Sequence, residues 1–186
     1  MKRSYIFLGT GFEEVEAITP ADVMRRAGLE VSLVSINKQR QVTGSHGITI
    51  DADFVIESTD FSDADWLILP GGLPGAHHLA GNEMLTDLLK KHAAAGGRIA
   101  AICAAPGVVL APLGLLEGKE ATAYPGFDSE LAKFGATPRS ARVVADGNFI
   151  TGNGPSSALP FALAIVAATA GKDVADDVAD GMLVNF

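Results

Sequence analysis

Short apolar runs that alternate with helix-length segments set the architecture of this 186-residue chain. The segments SYIFL (Ser4–Leu8), EVSLVSI (Glu30–Ile36), DWLIL (Asp65–Leu69) and RIAAI (Arg98–Ile102) are β-rich and nearly continuous in their hydrophobicity. A strand with one wet face alternates polar and apolar residues, so these runs predict strands covered on both faces. Between them lie Glu13–Ala27, closed by Gly28, and the amphipathic NEMLTDLLKKHAAAGG. In the latter, Met84, Leu85, Leu88 and Leu89 share one stripe and Gly96-Gly97 stop the helix. Further on, SSALPFALAIVAATAG predicts a buried helix ending at Gly171. This rhythm means βαβ units and an α/β fold, with a mostly parallel sheet and helices on both faces. Two hairpins are also expected, one in QVTGSHGITID and one at the Asp146-Gly147 turn of ARVVADGNFIT.

In sheets of this kind ligands bind outside the carboxyl ends of the strands. Four pieces then share one rim: Gly9-Thr10-Gly11, Pro70-Gly71-Gly72, Cys103-Ala104 and Thr151–Pro155. The length suits one domain, expected over residues 1–186. With 22 acidic against 14 basic side chains and a net charge of −8, a nucleic-acid partner is excluded. The apolar run Tyr5–Leu8 is too short for a signal peptide, and LPFALAIVAATAG is too short to span a bilayer. No membrane partner is therefore expected. The single cysteine leaves no intramolecular disulfide, CxxC pair or multi-cysteine metal site, and the expected compartment is the cytoplasm.

At the first helix, Thr10 followed by Glu13 reads as a capping box, with Thr10 as N-cap. Glu13 and Glu14 then suit the positive end of the helix dipole. Glu16 does not fit so simply, because it shares a face with Pro20, Val23 and Ala27. A glutamate on an apolar face is either a raised-pKa functional group or a partly exposed salt-bridge partner. Pro20 lacks the N–H that would bond the Glu16 carbonyl, so a kink is expected beside it. Cys103 also has two readings. Lone cysteines in apolar runs are commonly small buried hydrophobes. At the junction of RIAAI with a helix starting near Ala104, though, backbone N–H groups would lower a thiol's pKa and hold an oxyanion, helped by Gly71-Gly72. The adjacent His77-His78 pair has no carboxylate spacing that makes a metal site, and His46 lies in the first hairpin.

Taken together, GFEEVEAITPADVMRRAG, LILPGG, AAICAAPGVVLA and GNGPSSALPFALAIV resemble the ThiJ/PfpI superfamily. Within it the chain is most similar to the small branch of Parkinson-disease-associated deglycases and their bacterial relatives. The resemblance runs from Tyr5 to about Val178 and implies a flavodoxin-like three-layer sandwich, commonly a homodimer. It places the reactive cysteine at Cys103, the hydrogen-bonding protonated glutamate at Glu16, and the backbone donors at Gly72 and Ala104. Gly71, Tyr124, Asn153 and His46 are implied to line the pocket. Tyr124 stands where many relatives carry histidine, and a neutral phenol is a poor general base, which counts against a Cys-His protease or amidase. Asn153 and His46 stand where human-like relatives carry arginine, which removes fixed positive charge from the pocket.

The function this implies is cofactor-independent, metal-free glyoxalase or deglycase chemistry on a small carbonyl substrate such as methylglyoxal. The second expectation is a redox sensor or chaperone that uses an oxidisable cysteine. Both need the same Cys103–Glu16 pair.

Overall fold

The computed structural model describes residues 2–184. The domain expected over 1–186 reaches past them at Met1, Asn185 and Phe186, which lie outside the described residues. In chain order the strands are β1 (Arg3–Leu8), β2 (Val31–Ser35), β3 (Gln41–Thr43), β4 (Thr49–Asp51), β5 (Phe54–Val55) and β6 (Ala64–Leu69). They continue with β7 (Arg98–Ile102), β8 (Glu120–Ala121), β9 (Thr137–Pro138), β10 (Val143–Asp146) and β11 (Phe149–Gly152). The helices are α1 (Glu14–Arg26), α2 (Gly75–Gly81), α3 (Glu83–Ala94), α4 (Asp128–Lys133), α5 (Ala158–Ala170) and α6 (Lys172–Gly181).

Seven strands form one sheet in the order β10-β11-β7-β6-β1-β2-β5, parallel except for the β10–β11 hairpin. Successive side chains of a strand point to opposite faces, so each central strand feeds two cores. Ile6 and Leu8 of β1, Ile68 of β6 and Ala100 and Ile102 of β7 meet α1, α5 and α6 on one side. Tyr5, Phe7, Leu67, Leu69, Ile99 and Ala101 meet α2 and α3 on the other. The result is the expected flavodoxin-like α/β sandwich of three layers. Phe161 and Ile165 of α5 are fully buried, and each such side chain contributes about 2 kcal/mol through the apolar area removed from water.

Two local expectations fail. Thr10 does not cap α1: Glu13 occupies the N-cap position without a side-chain hydrogen bond, and Thr10 Oγ1 instead accepts from Asn37 Nδ2 at 3.0 Å. In α3, Leu85 and Leu89 are buried, whereas Met84 is half exposed, so the buried stripe is narrower than the sequence pattern. Asn82 Oδ1 accepts the Leu85 N–H at 3.0 Å, one of the donors a helix start leaves open. Pro20 lies inside α1, which runs through it from Glu14 to Arg26. No helix of the described residues is long and apolar enough to cross a membrane.

Candidate active site

Neighbouring strands β1, β6 and β7 end on one rim, and three tight connections leave it. The Gly9–Glu13 loop after β1 is tied to the β6 end through Glu13 N–H to Gly71 C=O at 3.0 Å. Gly72 has φ +86, and a Cβ there would lie 2.4 Å from the Glu13 nitrogen, so glycine is required by both backbone and space. After β7 the chain turns sharply at Cys103, which has φ +64. A non-glycine residue in the left-handed region costs roughly 1–2 kcal/mol. Backbone bonds at both ends of the residue hold it there: Cys103 N–H to Gly152 C=O at 2.9 Å, and Tyr124 N–H to Cys103 C=O at 2.8 Å. This is the mechanics of a nucleophile elbow. The helical path starts beyond it, with Val108 N–H to Ala104 C=O at 2.9 Å, followed by one wide turn over Pro106–Leu110.

Glu16 is fully buried beneath the elbow. The Gly71 N–H donates to its Oε2 at 2.9 Å, while Oε1 has no hydrogen-bond partner of good geometry. Any proton on this carboxyl therefore belongs on Oε1. Burial pushes Glu16 up to about 7, against the Gly71 N–H and the Cys103 thiol, which favour its charge. Burial also pushes the Cys103 thiol up to about 12, and the Glu16 charge adds to the rise. The Gly72 and Ala104 N–H groups oppose that rise by bonding to sulfur, and they do not prevail. The expected depressed thiol is thus corrected. The sulfur of a residue only 9% exposed, beside a carboxylate, loses more from desolvation and like charge than two backbone donors return. Burial disfavours charge on both groups, so the pair holds both protons at acid pH and gives up one of them as the pH rises through neutrality.

Above the sulfur opens a cleft of about 370 Å³. Gly72, Ala104, Tyr124 and His46 line it with Cys103, so the structure brings these expected residues together. Two others stand apart. Gly71 is buried behind the thiol, where its N–H serves Glu16 rather than the cleft. Asn153 faces a separate depression shared with Thr122 and Arg139, because its Oδ1 accepts from Ser157 Oγ at 2.6 Å.

Glu14 was assigned only to the helix dipole, and it does more. Its carboxylate accepts the His46 N–H at 2.8 Å and the Ile48 N–H at 3.4 Å, and meets His46 Nδ1 at 2.9 Å. Burial raises this carboxyl, but those hydrogen bonds outweigh it and hold Glu14 at about 2. The β3–β4 hairpin is thereby clamped to the start of α1, and its tip becomes one wall of the cleft. The bond to Glu14, with the Glu13 charge, raises the His46 pKa. Glu13, Glu14 and His46 each bring one ligand atom within 4.8 Å of the others, the grouping among the described residues with atoms suited to a metal ion. The ring nitrogen that faces the carboxylates is already taken by Glu14, which the His46 and Ile48 N–H groups also bond, while Glu13 accepts from the Ser45 hydroxyl. Gly44 was the sequence signal for this contact: a Cβ there would lie 2.3 Å from Glu14 Oε1.

A model described as the DJ-1/PfpI family matches residues 2–168. The Drosophila melanogaster protein dj-1beta is 39% identical over 185 residues, covering 100% of this chain and 98% of that protein. A Pyrococcus abyssi protein named as a deglycase is 33% identical over 153 residues, covering 82% of this chain and 90% of its own. Among solved structures, oxidized Toxoplasma gondii DJ-1 superposes with a TM-score of 0.95 at 35% identity, with each chain covered in full.

Proposed function

Because the chain belongs to the DJ-1/PfpI family, we propose that it is a cysteine-dependent, cofactor-independent enzyme acting on small reactive carbonyls such as methylglyoxal or their early protein adducts. A relative named as a deglycase supports this reading. The observation that carries it is the buried Glu16 carboxyl beside the Cys103 thiol, under an open cleft with two N–H groups on sulfur.

A thiol held up to about 12 is not ionised at neutral pH, whereas a carboxyl at about 7 is a base poised to act there. Glu16 therefore takes the thiol proton as sulfur adds to the aldehyde carbon. The carbonyl electron pair moves to oxygen, which the Gly72 and Ala104 N–H groups stabilise as it becomes an oxyanion. Glu16 returns the proton to that oxygen, giving the hemithioacetal. Glu16 then takes the former aldehyde hydrogen as a proton, the C–H electron pair forms the C=C bond of an enediol, and the ketone oxygen becomes a hydroxyl. That proton returns to the former ketone carbon while the hydroxyl on the sulfur-bearing carbon gives up its own proton to leave C=O, which yields a lactoyl thioester on Cys103. Water cleaves the thioester to lactate and restores the thiol. Wild type is expected to form lactate from methylglyoxal, and Cys103→Ala to fall to the buffer rate. A wild type no faster than Cys103→Ala rejects the reading.

The redox reading uses the same sulfur and is favoured by one observation, that a relative's solved structure is of an oxidized form. It takes first place if wild type forms no lactate. The single cysteine and the acidic surface suit the cytoplasm.

We also propose a second copy of the chain as partner. Val15 and Ile18 of α1 and Ile48 of the hairpin that Glu14 ties to its start are 48%, 42% and 58% exposed, large apolar side chains left open to solvent. Sedimentation velocity is expected to give a dimer for wild type and a monomer for Ile18→Glu. A monomeric wild type at micromolar concentration would remove the dimer.

A further inference from the structure

The cleft over Cys103 has two unlike walls. Leu73, Tyr124, Phe127 and Pro155 form an apolar one, while Glu13, Ser45 and His46 form the other. Among the described residues lining it there is no lysine or arginine. The Glu13 carboxylate is 14% exposed, accepts one hydroxyl hydrogen bond from Ser45 at 3.3 Å, and lies 3.6 Å from His46 Nδ1. That ring is closer to Glu14, at 2.9 Å. Two carboxylates share one ring, so this wall is negative even when the ring is protonated. The Cys103–Glu16 pair beneath contributes a further negative charge once Glu16 ionises, and the whole chain carries −8.

A carboxylate or phosphate entering here would lose water against the apolar wall with no fixed cation to receive it. An uncharged aldehyde loses far less. We propose that the cleft selects uncharged carbonyl electrophiles and turns away those bearing a carboxylate or phosphate, with Glu13 as the specificity-determining residue. This deepens the reading of Cys103 as the nucleophile, and rests on it.

The test is independent of turnover. Cys103 is the chain's one cysteine, so its alkylation rates by iodoacetamide and by iodoacetate are unambiguous. In each reaction sulfur displaces iodide, so the thiol's own reactivity cancels in the ratio of the two rates. Normalised to N-acetylcysteine, that ratio is expected to favour iodoacetamide by about tenfold or more, the scale on which a charged cleft biases local ion concentration. The rates are measured at pH 6, below the ordinary histidine value, which the Glu14 bond and the Glu13 charge raise further. There Glu13→Gln is expected to lower the ratio about threefold and His46→Asn to raise it, because one removes a negative charge and the other a positive one. A general loosening of the hairpin would move both variants the same way. A wild-type ratio equal to that of the free thiol, or no change in Glu13→Gln, overturns the proposal. No alkylation of Cys103 at all removes its premise and the proposal with it. A shifted ratio without lactate formation overturns the carbonyl-enzyme reading and leaves the charge selection standing.

Discussion

Gly71→Ala is expected to lower kcat/KM for methylglyoxal by about 100-fold or more, the scale of misplacing reacting groups by an ångström. The added Cβ would lie 2.6 Å from Cys103 Cβ, 2.8 Å from Glu16 Oε2 and 3.0 Å from the Ile102 carbonyl oxygen. All three belong to the elbow or to its acid: Cys103 Cβ and the Ile102 carbonyl oxygen are fixed by the backbone, and Glu16 Oε2, although a side-chain end, is buried and held by the Gly71 N–H. The backbone at Gly71 is not left-handed, so the damage comes from the clash and not from a forbidden φ. Relief requires Cys103 and Glu16 to separate, or the Gly71 N–H to leave Oε2. Overpacking of this kind also destabilises by roughly 1–3 kcal/mol, so urea unfolding accompanies the kinetics. Gly81→Ala is the control, since a Cβ there meets nothing within 4 Å. Wild-type turnover in folded Gly71→Ala would mean that the two side chains need not be held together for the reaction.

Much of this arrangement was legible because it follows from local pattern. Continuous apolar runs marked the strands buried on both faces, and the glycines after them marked the rim. One glutamate out of place on an apolar helix face singled out Glu16, and a break between strand and helix singled out Cys103; local pattern left a second reading open for each, and the family resemblance chose between them. What was not legible depends on partners distant in sequence. Thr10 satisfied a capping pattern, but Asn37 took its hydroxyl. Glu14 had a sufficient local explanation as a first-turn acid, and its tie to His46, 32 residues away, needed the folded hairpin. Asn153 lies on the expected rim, but its side chain turns toward Ser157 and away from the thiol. The direction of the thiol's shift was missed for a related reason. Backbone donors at a helix start are visible in a sequence, whereas the depth of burial that outweighs them is not.

Glu16→Gln is expected to be inactive yet more stable than wild type above pH 7. The folded protein holds the Glu16 proton up to about 7, against an ordinary value of 4.5. Below pH 4.5 the carboxyl is neutral in folded and unfolded chains alike, and its burial costs nothing in ionisation. Between 4.5 and 7 the unfolded chain has lost the proton and the folded one has not, so stability falls as pH rises. The loss amounts to roughly 3 kcal/mol by the time the buried group ionises. Glutamine cannot ionise, so the difference in unfolding free energy between the variant and wild type should grow in its favour through this window and level off above 7. Turnover runs the other way. The base form of Glu16 accepts the thiol proton, so wild-type kcat/KM should rise with pH to a plateau above about 7, and Glu16→Gln should lose about 100- to 10,000-fold, the usual worth of a positioned acid–base group. Stability and activity thus depend in opposite senses on one buried proton. Urea denaturation and rate profiles across pH 4.5–8.5 measure both, and a wild type whose stability does not fall over that range would place the shared proton elsewhere than on Glu16.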